Sequence, residues 1–145
     1  MSDTGPTLYM AEPSVSYFVL PPLVVDCSIL ASLLFEETTQ EQAALRIDGK
    51  TLHAPKLLQF EMVSVALKKH KAGAPYIARK GLERLVDFKI ETHEIDPTAT
   101  LALTIRYNLS AYDAAYLWLA ADIKAPLATF DEKLGRAAQT HLATL

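Results

Sequence analysis

Two short apolar runs set the first limit on what this chain can fold into. Leu23-Val24-Val25 is closed by Pro22 before it and Asp26 after it, and Ala125 to Thr129 (APLAT) lies near the other end. Neither run alternates polar with apolar residues, and both are too short for a helix. Each therefore reads as a strand buried on both faces, the pattern of a parallel sheet. Parallel strands need long crossovers, so the chain between them is expected to be mostly helical.

The intervening sequence meets that demand. Cys27 to Phe35 reads as a helix and Thr39 to Ile47 as another, opened by the capping pattern Thr38-x-x-Glu41 and stopped by Asp48-Gly49. Thr51 to His53 reads as a short strand. Pro55 suits the first turn of a helix, and PKLLQFEMVSVALKKH has helical apolar spacing up to a Gly-Ala-Pro break at 73–75. A helix follows over Tyr76 to Asp87, then a strand over Lys89 to Ile95. Asp96-Pro97 opens a helix to Tyr107, Ser110-x-x-Asp113 one to Asp122, and Thr129-x-x-Glu132 the last, to Thr140. Strands alternating with helices predict an α/β domain with a mostly parallel sheet.

Composition narrows the class. With 145 residues, half of them hydrophobic and 21% charged, the chain is one compact domain rather than a disordered segment. Residues 1–16 read as a flexible lead-in and 17–145 as the single domain. Seventeen acids against 14 Lys and Arg give a net charge of −3, which argues against a basic DNA-reading surface. The first base is Arg46, so a secretory leader is not expected, and no apolar run reaches the length of a membrane span. One cysteine, Cys27, allows no internal disulfide and fits a cytoplasmic protein.

Some of the acids sit where apolar residues belong. Glu61 shares a helix face with Leu57, Leu58, Ser64 and Val65, and Asp113 with Leu109, Ser110, Tyr116 and Leu117. No Lys or Arg lies within a helical turn of either. A buried carboxylate without a partner is costly, so a cation from elsewhere or a shifted pKa is required. Asp26 follows the first strand and Asp131 follows the last. If those strands are parallel neighbours, both acids lie at one sheet edge, where ligands bind in open α/β sheets. Each acid also has a plainer reading: Asp26 as a helix cap, Asp113 as the partner of Ser110 in a capping box, Glu61 as half-exposed, Asp131 as a helix-dipole acid. Together they favour a site for a hard divalent cation, Mg²⁺ or Mn²⁺. His53, His70, His93 and His141 are scattered and Cys27 stands alone, so no zinc pattern is read.

Four stretches then carry a resemblance. VVDCSIL at 24–30, APKLLQFEMVSVAL at 54–67, LSAYDAAYLWLA at 109–120 and LATFDEKLGRAA at 127–138 follow one another as they do in the PIN-domain ribonucleases, most closely the VapC-type toxins. The resemblance spans about residues 23–141. It implies a three-layer α/β/α sandwich and a metal-dependent endoribonuclease with Asp26, Glu61, Asp113 and Asp131 around one or two Mg²⁺ or Mn²⁺ ions. Ser28 and Thr129 match small polar residues that support the first and last Asp. It also implies a homodimer and a small antitoxin protein blocking the cleft. The sequence departs from the family in three places. Twenty-two residues precede Leu23, with Ser16 to Leu20 (SYFVL) a candidate edge strand. Only HLATL follows the last helix, leaving little room for a closing strand, and Cys27 stands where Thr is common.

A basic stretch offers RNA contacts: Lys68, Lys69, Lys71, Arg79 and Lys80 lie close together in sequence, with a solvated helix face as the plainer reading. Trp118 and Tyr112 read as core or interface. The rival is a non-catalytic PIN-like scaffold for RNA or protein, which has no need of four acids. A haloacid-dehalogenase-type phosphatase would place an Asp where Ser28 stands, and a dinucleotide-binding domain would have a Gly-rich turn after the first strand.

Overall fold

In a computed structural model, residues 8–9 and 20–145 are described. Most of the lead-in, and residues 16–19 of the candidate edge strand SYFVL, lie outside the described residues. The elements run β1 (Pro22–Val25), α1 (Cys27–Leu34), α2 (Gln40–Ile47), β2 (Thr51–Pro55), α3 (Leu58–Lys71), α4 (Pro75–Leu85), a 3-10 turn (Val86–Phe88), β3 (Glu91–His93), α5 (Pro97–Tyr107), α6 (Ala111–Asp122), β4 (Leu127–Ala128) and α7 (Glu132–Leu142). The four strands form one parallel sheet in the order β3-β2-β1-β4. Helices flank it in a three-layer α/β/α arrangement. In one group α1 packs on α2, α3 and α4; in the other α6 packs on α5 and α7 and lies across β1 and β2.

The apolar runs form the centre as their composition demands. Val24, Val25, Leu30, Ala114, Leu117, Leu119 and Leu134 are wholly buried between sheet and helices. The chain passes from β1 outward to β2 and β3, then returns to add β4 on the other side of β1. That reversal is the switch point at which open α/β sheets form their clefts. Val25 pairs with Ala128, so Asp26 and Thr129, the next residue of each strand, leave the sheet at the same level.

Several boundaries differ from the sequence expectation. Pro55 ends β2 and does not open a helix; it stands opposite His93, and the Lys56 N–H bonds the His93 carbonyl at 2.9 Å. A proline is as compatible with a strand end as with a helix start, and here strand pairing decides. Thr38-x-x-Glu41 does not cap α2. The N-cap is Thr39, whose hydroxyl bonds Ser32 Oγ at 2.6 Å instead of a helix N–H. Thr129-x-x-Glu132 is not a capping box either: Asp131 caps α7, accepting from the Leu134 N–H at 2.8 Å. The strands expected over Lys89–Ile95 and Ala125–Thr129 shrink to three and two residues, and α7 runs on to Leu142 with no strand after it among the described residues. Asp96 and Ser110 cap α5 and α6 as their patterns predict.

Candidate active site

Asp26 is the fixed point of the site. It caps α1 and is only 5% exposed. Its Oδ1 accepts from Ser28 Oγ at 2.6 Å and from the Ile29 N–H at 3.3 Å, and its Oδ2 accepts from Thr129 Oγ1 at 2.5 Å. Ser28 Oγ in turn accepts from the Phe130 N–H, and Thr129 Oγ1 from the Asp131 N–H, both at 2.9 Å. Two hydroxyls thus tie the loop after β1 to the loop after β4 and place Asp131 beside Asp26. Asp26 therefore caps α1 through Oδ1, as its plainer reading expects, while Oδ2 is held by the chain after β4.

The other two acids arrive from helices. Asp113 stands in the first turn of α6, half-buried, and its N–H donates to Ser110 Oγ at 3.1 Å. Glu61 is half-buried on α3, and its Oε1 accepts from the Tyr116 hydroxyl at 2.7 Å, across from α6. Tyr116 is itself 1% exposed, so the core holds the donor that holds Glu61.

The acids influence one another's ionisation. Burial raises the pKa of Asp26 above the ordinary range, while bonds from Ser28, Thr129 and the Ile29 and Ser28 backbone pull it down. Burial also raises Glu61; the Tyr116 bond lowers it, and the charges of Asp113 and Asp26 raise it further. Asp113 is raised by burial and then by Asp131 and Asp26, with Lys133 the opposing cation. All four acids therefore share one field, although no three of them bring ligand atoms within 4.8 Å of one another. Cys27, next to Asp26, is pushed up to about 12 by burial and by Glu61 and Asp26, against Lys68, so it remains a thiol at neutral pH. Tyr116 is pushed far above the tyrosine range by burial and by Glu61, and stays a donor.

The basic stretch divides. Lys69 pairs with Glu37 at 2.7 Å, while Arg79 and Lys80 both approach Glu83, at 3.8 and 3.6 Å. Lys68 and Lys71 are exposed at the end of α3 and enter no ion pair among the described residues, and Lys68 is the one felt at Cys27. Lys133 was not legible as a site residue, since it lies in the first turn of α7 and meets Asp113 only through the α6–α7 packing. Tyr112 is exposed and Trp118 packs partly buried against the core. A groove of about 970 Å³ runs along the outer side of β4 between α2 and α7. Thr129 and Phe130 line it, but none of the four acids does.

One expectation about metals is corrected. The histidines are not all scattered: His53 Nδ1 lies 2.9 Å from His93 Nε2, with Glu91 beside them. They are 40 positions apart in sequence and meet only because β2 and β3 pair in register.

The fold and the acids at its switch point define a class, and sequence comparison agrees. The PIN domain family model matches residues 23–139, and the chain belongs to that family, among its VapC-type ribonucleases. It is similar to Ribonuclease VapC3 of Pyrobaculum aerophilum, with 31% identity over 119 residues covering 77% of this chain and 91% of the relative. It is also similar to Ribonuclease VapC12 of Mycobacterium tuberculosis, with 28% identity over 122 residues, covering 82% and 92%. Among solved structures it resembles PAE2754 from Pyrobaculum aerophilum, at a TM-score of 0.65 and 21% identity, covering 86% of this chain and 89% of that one.

Proposed function

We propose that this chain is a metal-dependent endoribonuclease, the toxin of a toxin–antitoxin pair, with Asp26, Glu61, Asp113 and Asp131 as its catalytic and metal-holding residues. The observation that supports this most directly is the shared field of the four acids at the switch point. Three of them, Asp26, Glu61 and Asp113, have pKa values raised first by burial; the other acids raise Glu61 and Asp113 further, and Lys133 is the one cation among the described residues felt by those three. An all-oxygen, like-charged donor set of this kind suits Mg²⁺ or Mn²⁺, one or two ions. Bound there, a divalent cation supplies charge stabilisation to the phosphoryl oxygens and lowers the pKa of a water.

The chain's own residues divide the remaining work. Asp26 and Asp131, fixed by Thr129 and Ser28, are the rigid ligands, and Asp113 is the third. Glu61, steadied at one oxygen by Tyr116, has its other oxygen available to orient the attacking water and take its proton. Lys68 and Lys71 are the phosphate contacts best supported, since Lys69, Arg79 and Lys80 are engaged with Glu37 and Glu83. Exposed apolar residues Phe60, Val63 and Leu67 form a stripe on α3, which supports a homodimer. A small antitoxin that covers the acids completes the pair. No helix among the described residues is long and apolar enough to cross a membrane, and we assign the protein to the cytoplasm with its RNA.

The decisive experiment compares the parent chain with Asp26→Asn on a single-stranded RNA in Mg²⁺ or Mn²⁺. The variant is expected to cleave roughly 10²-fold more slowly or worse, the scale of losing one preorganised electrostatic group. Parent activity should vanish in a chelator, and only the parent should arrest growth when expressed alone. Equal cleavage by the two proteins would remove the site assignment.

A further inference from the structure

The β2–β3 edge carries a second donor set, chemically unlike the acidic cleft. His53 and Glu91 are register partners on adjacent strands, and His93 lies two residues beyond Glu91, so all three point to the same side of the sheet. His53 Nδ1 is 2.9 Å from His93 Nε2 and 3.6 Å from Glu91 Oε2, and one donor atom from each residue lies within 4.8 Å of the other two. A four-coordinate zinc ion with bonds of about 2.0–2.2 Å sets its ligand atoms roughly 3.4 Å apart. The His53–Glu91 spacing already matches this. The histidine pair needs to open by about half an ångström, giving up its shared proton for a cation.

The surroundings suit an ion. His53 is 13% exposed at the side chain and Glu91 62%, so the set is anchored on one side and open to solvent on the other. Burial holds the His53 pKa below the ordinary range, which keeps its ring neutral and able to ligate. Lys56, three residues from His53, is already paired with Glu94 at 3.0 Å. The charges acting on His53 are Glu91 and His93, and neither histidine is among the groups that shift Asp26, Glu61 or Asp113.

We propose that His53, Glu91 and His93 form a site for an imidazole-preferring divalent cation, Zn²⁺ foremost, that clamps the edge strand β3 to β2. Two imidazoles with one carboxylate favour Zn²⁺ over Mg²⁺, whereas the acidic cleft has the reverse preference. Three protein ligands leave the fourth position to water. The strand being clamped has only three residues and, among the described residues, a single neighbour, so a bridging ion adds cohesion where the sheet has least.

The test is a Zn²⁺ titration of the metal-stripped full chain by calorimetry, with excess Mg²⁺ present to occupy the acids. Co²⁺ serves as an absorbing substitute that reports four-coordination. The parent is expected to bind one Zn²⁺ and to gain a higher unfolding midpoint. His93→Gln and Glu91→Gln, both at an open edge, should each bind at least about tenfold more weakly and lose the midpoint gain while still cleaving RNA in Mg²⁺. Asp26→Asn should keep the zinc site. Absence of Zn²⁺ binding by the parent, equal binding by His93→Gln, or loss of binding in Asp26→Asn alone would each overturn the proposal.

Discussion

Thr129→Val probes the bond network that fixes Asp26, at nearly constant shape. Valine keeps the branched outline of threonine and its rotamer preferences, so the strand end is not disturbed. What disappears is the hydroxyl that donates to Asp26 Oδ2 and accepts from the Asp131 N–H. The Asp131 N–H is exposed and turns to water at little cost. The Asp26 carboxylate is 5% exposed and has no such substitute. A hydrogen bond to a charged group contributes about 1.5–3 kcal/mol, so a loss near 2 kcal/mol is expected at neutral pH. In a domain of this size that lowers the unfolding midpoint by about 4–8 °C. The loss should depend on pH. Thr129 lowers the Asp26 pKa by stabilising its charged form, so its contribution is present where Asp26 is ionised and fades as pH falls through the folded pKa. Thermal melts in chelator at pH 7.5 and near pH 4 measure both values. A midpoint unchanged at pH 7.5, or an equal loss at both pH values, would refute the reasoning, since the second result would trace the effect to packing and not to charge. Cleavage should also require more Mg²⁺, because Asp26 becomes harder to ionise.

Three other expectations follow from the same geometry. Tyr116→Phe removes the 2.7 Å bond to Glu61, and RNA cleavage should fall about tenfold or more with a stability loss of roughly 1 kcal/mol, checked by single-turnover cleavage and urea unfolding. In chelator, Glu61 has its pKa raised above its ordinary 4.5, so the stability tied to it is full below that value and is lost as pH rises through the folded pKa. Glu61→Gln should therefore lose less stability than the parent between pH 4.5 and 7.5, and identical slopes in the two proteins would count against the shift. Gly81→Ala would place a methyl 2.9 Å from the Leu34 carbonyl and closer still to the Phe35 ring, so overpacking of about 1–3 kcal/mol should outweigh the helix-propensity gain of about 1 kcal/mol, read as a lower urea midpoint.

What the sequence could and could not disclose divides along a physical line. Asp26 and Asp131 were expected near one sheet edge because a buried strand shows as an uninterrupted apolar run, and Asp26 directly follows one such run while Asp131 lies three residues past the end of the neighbouring parallel strand. Glu61 and Asp113 were legible because an acid on an apolar helix face is costly wherever the helix packs. Local boundaries were less so: Pro55 and Thr129 fit two roles each by chemistry, and only pairing to β3 and the bond to Asp26 choose between them. The histidine pair was hidden for a stronger reason. His53 and His93 share no local pattern, and their meeting depends on the register of two edge strands, which is set by the whole sheet and not by either segment. A cluster at strand ends can thus be anticipated from the chain, while one that bridges strands requires the fold. Zinc affinity is the property that separates the two most sharply, because it should follow the bridging residues and ignore the acids that the sequence announces.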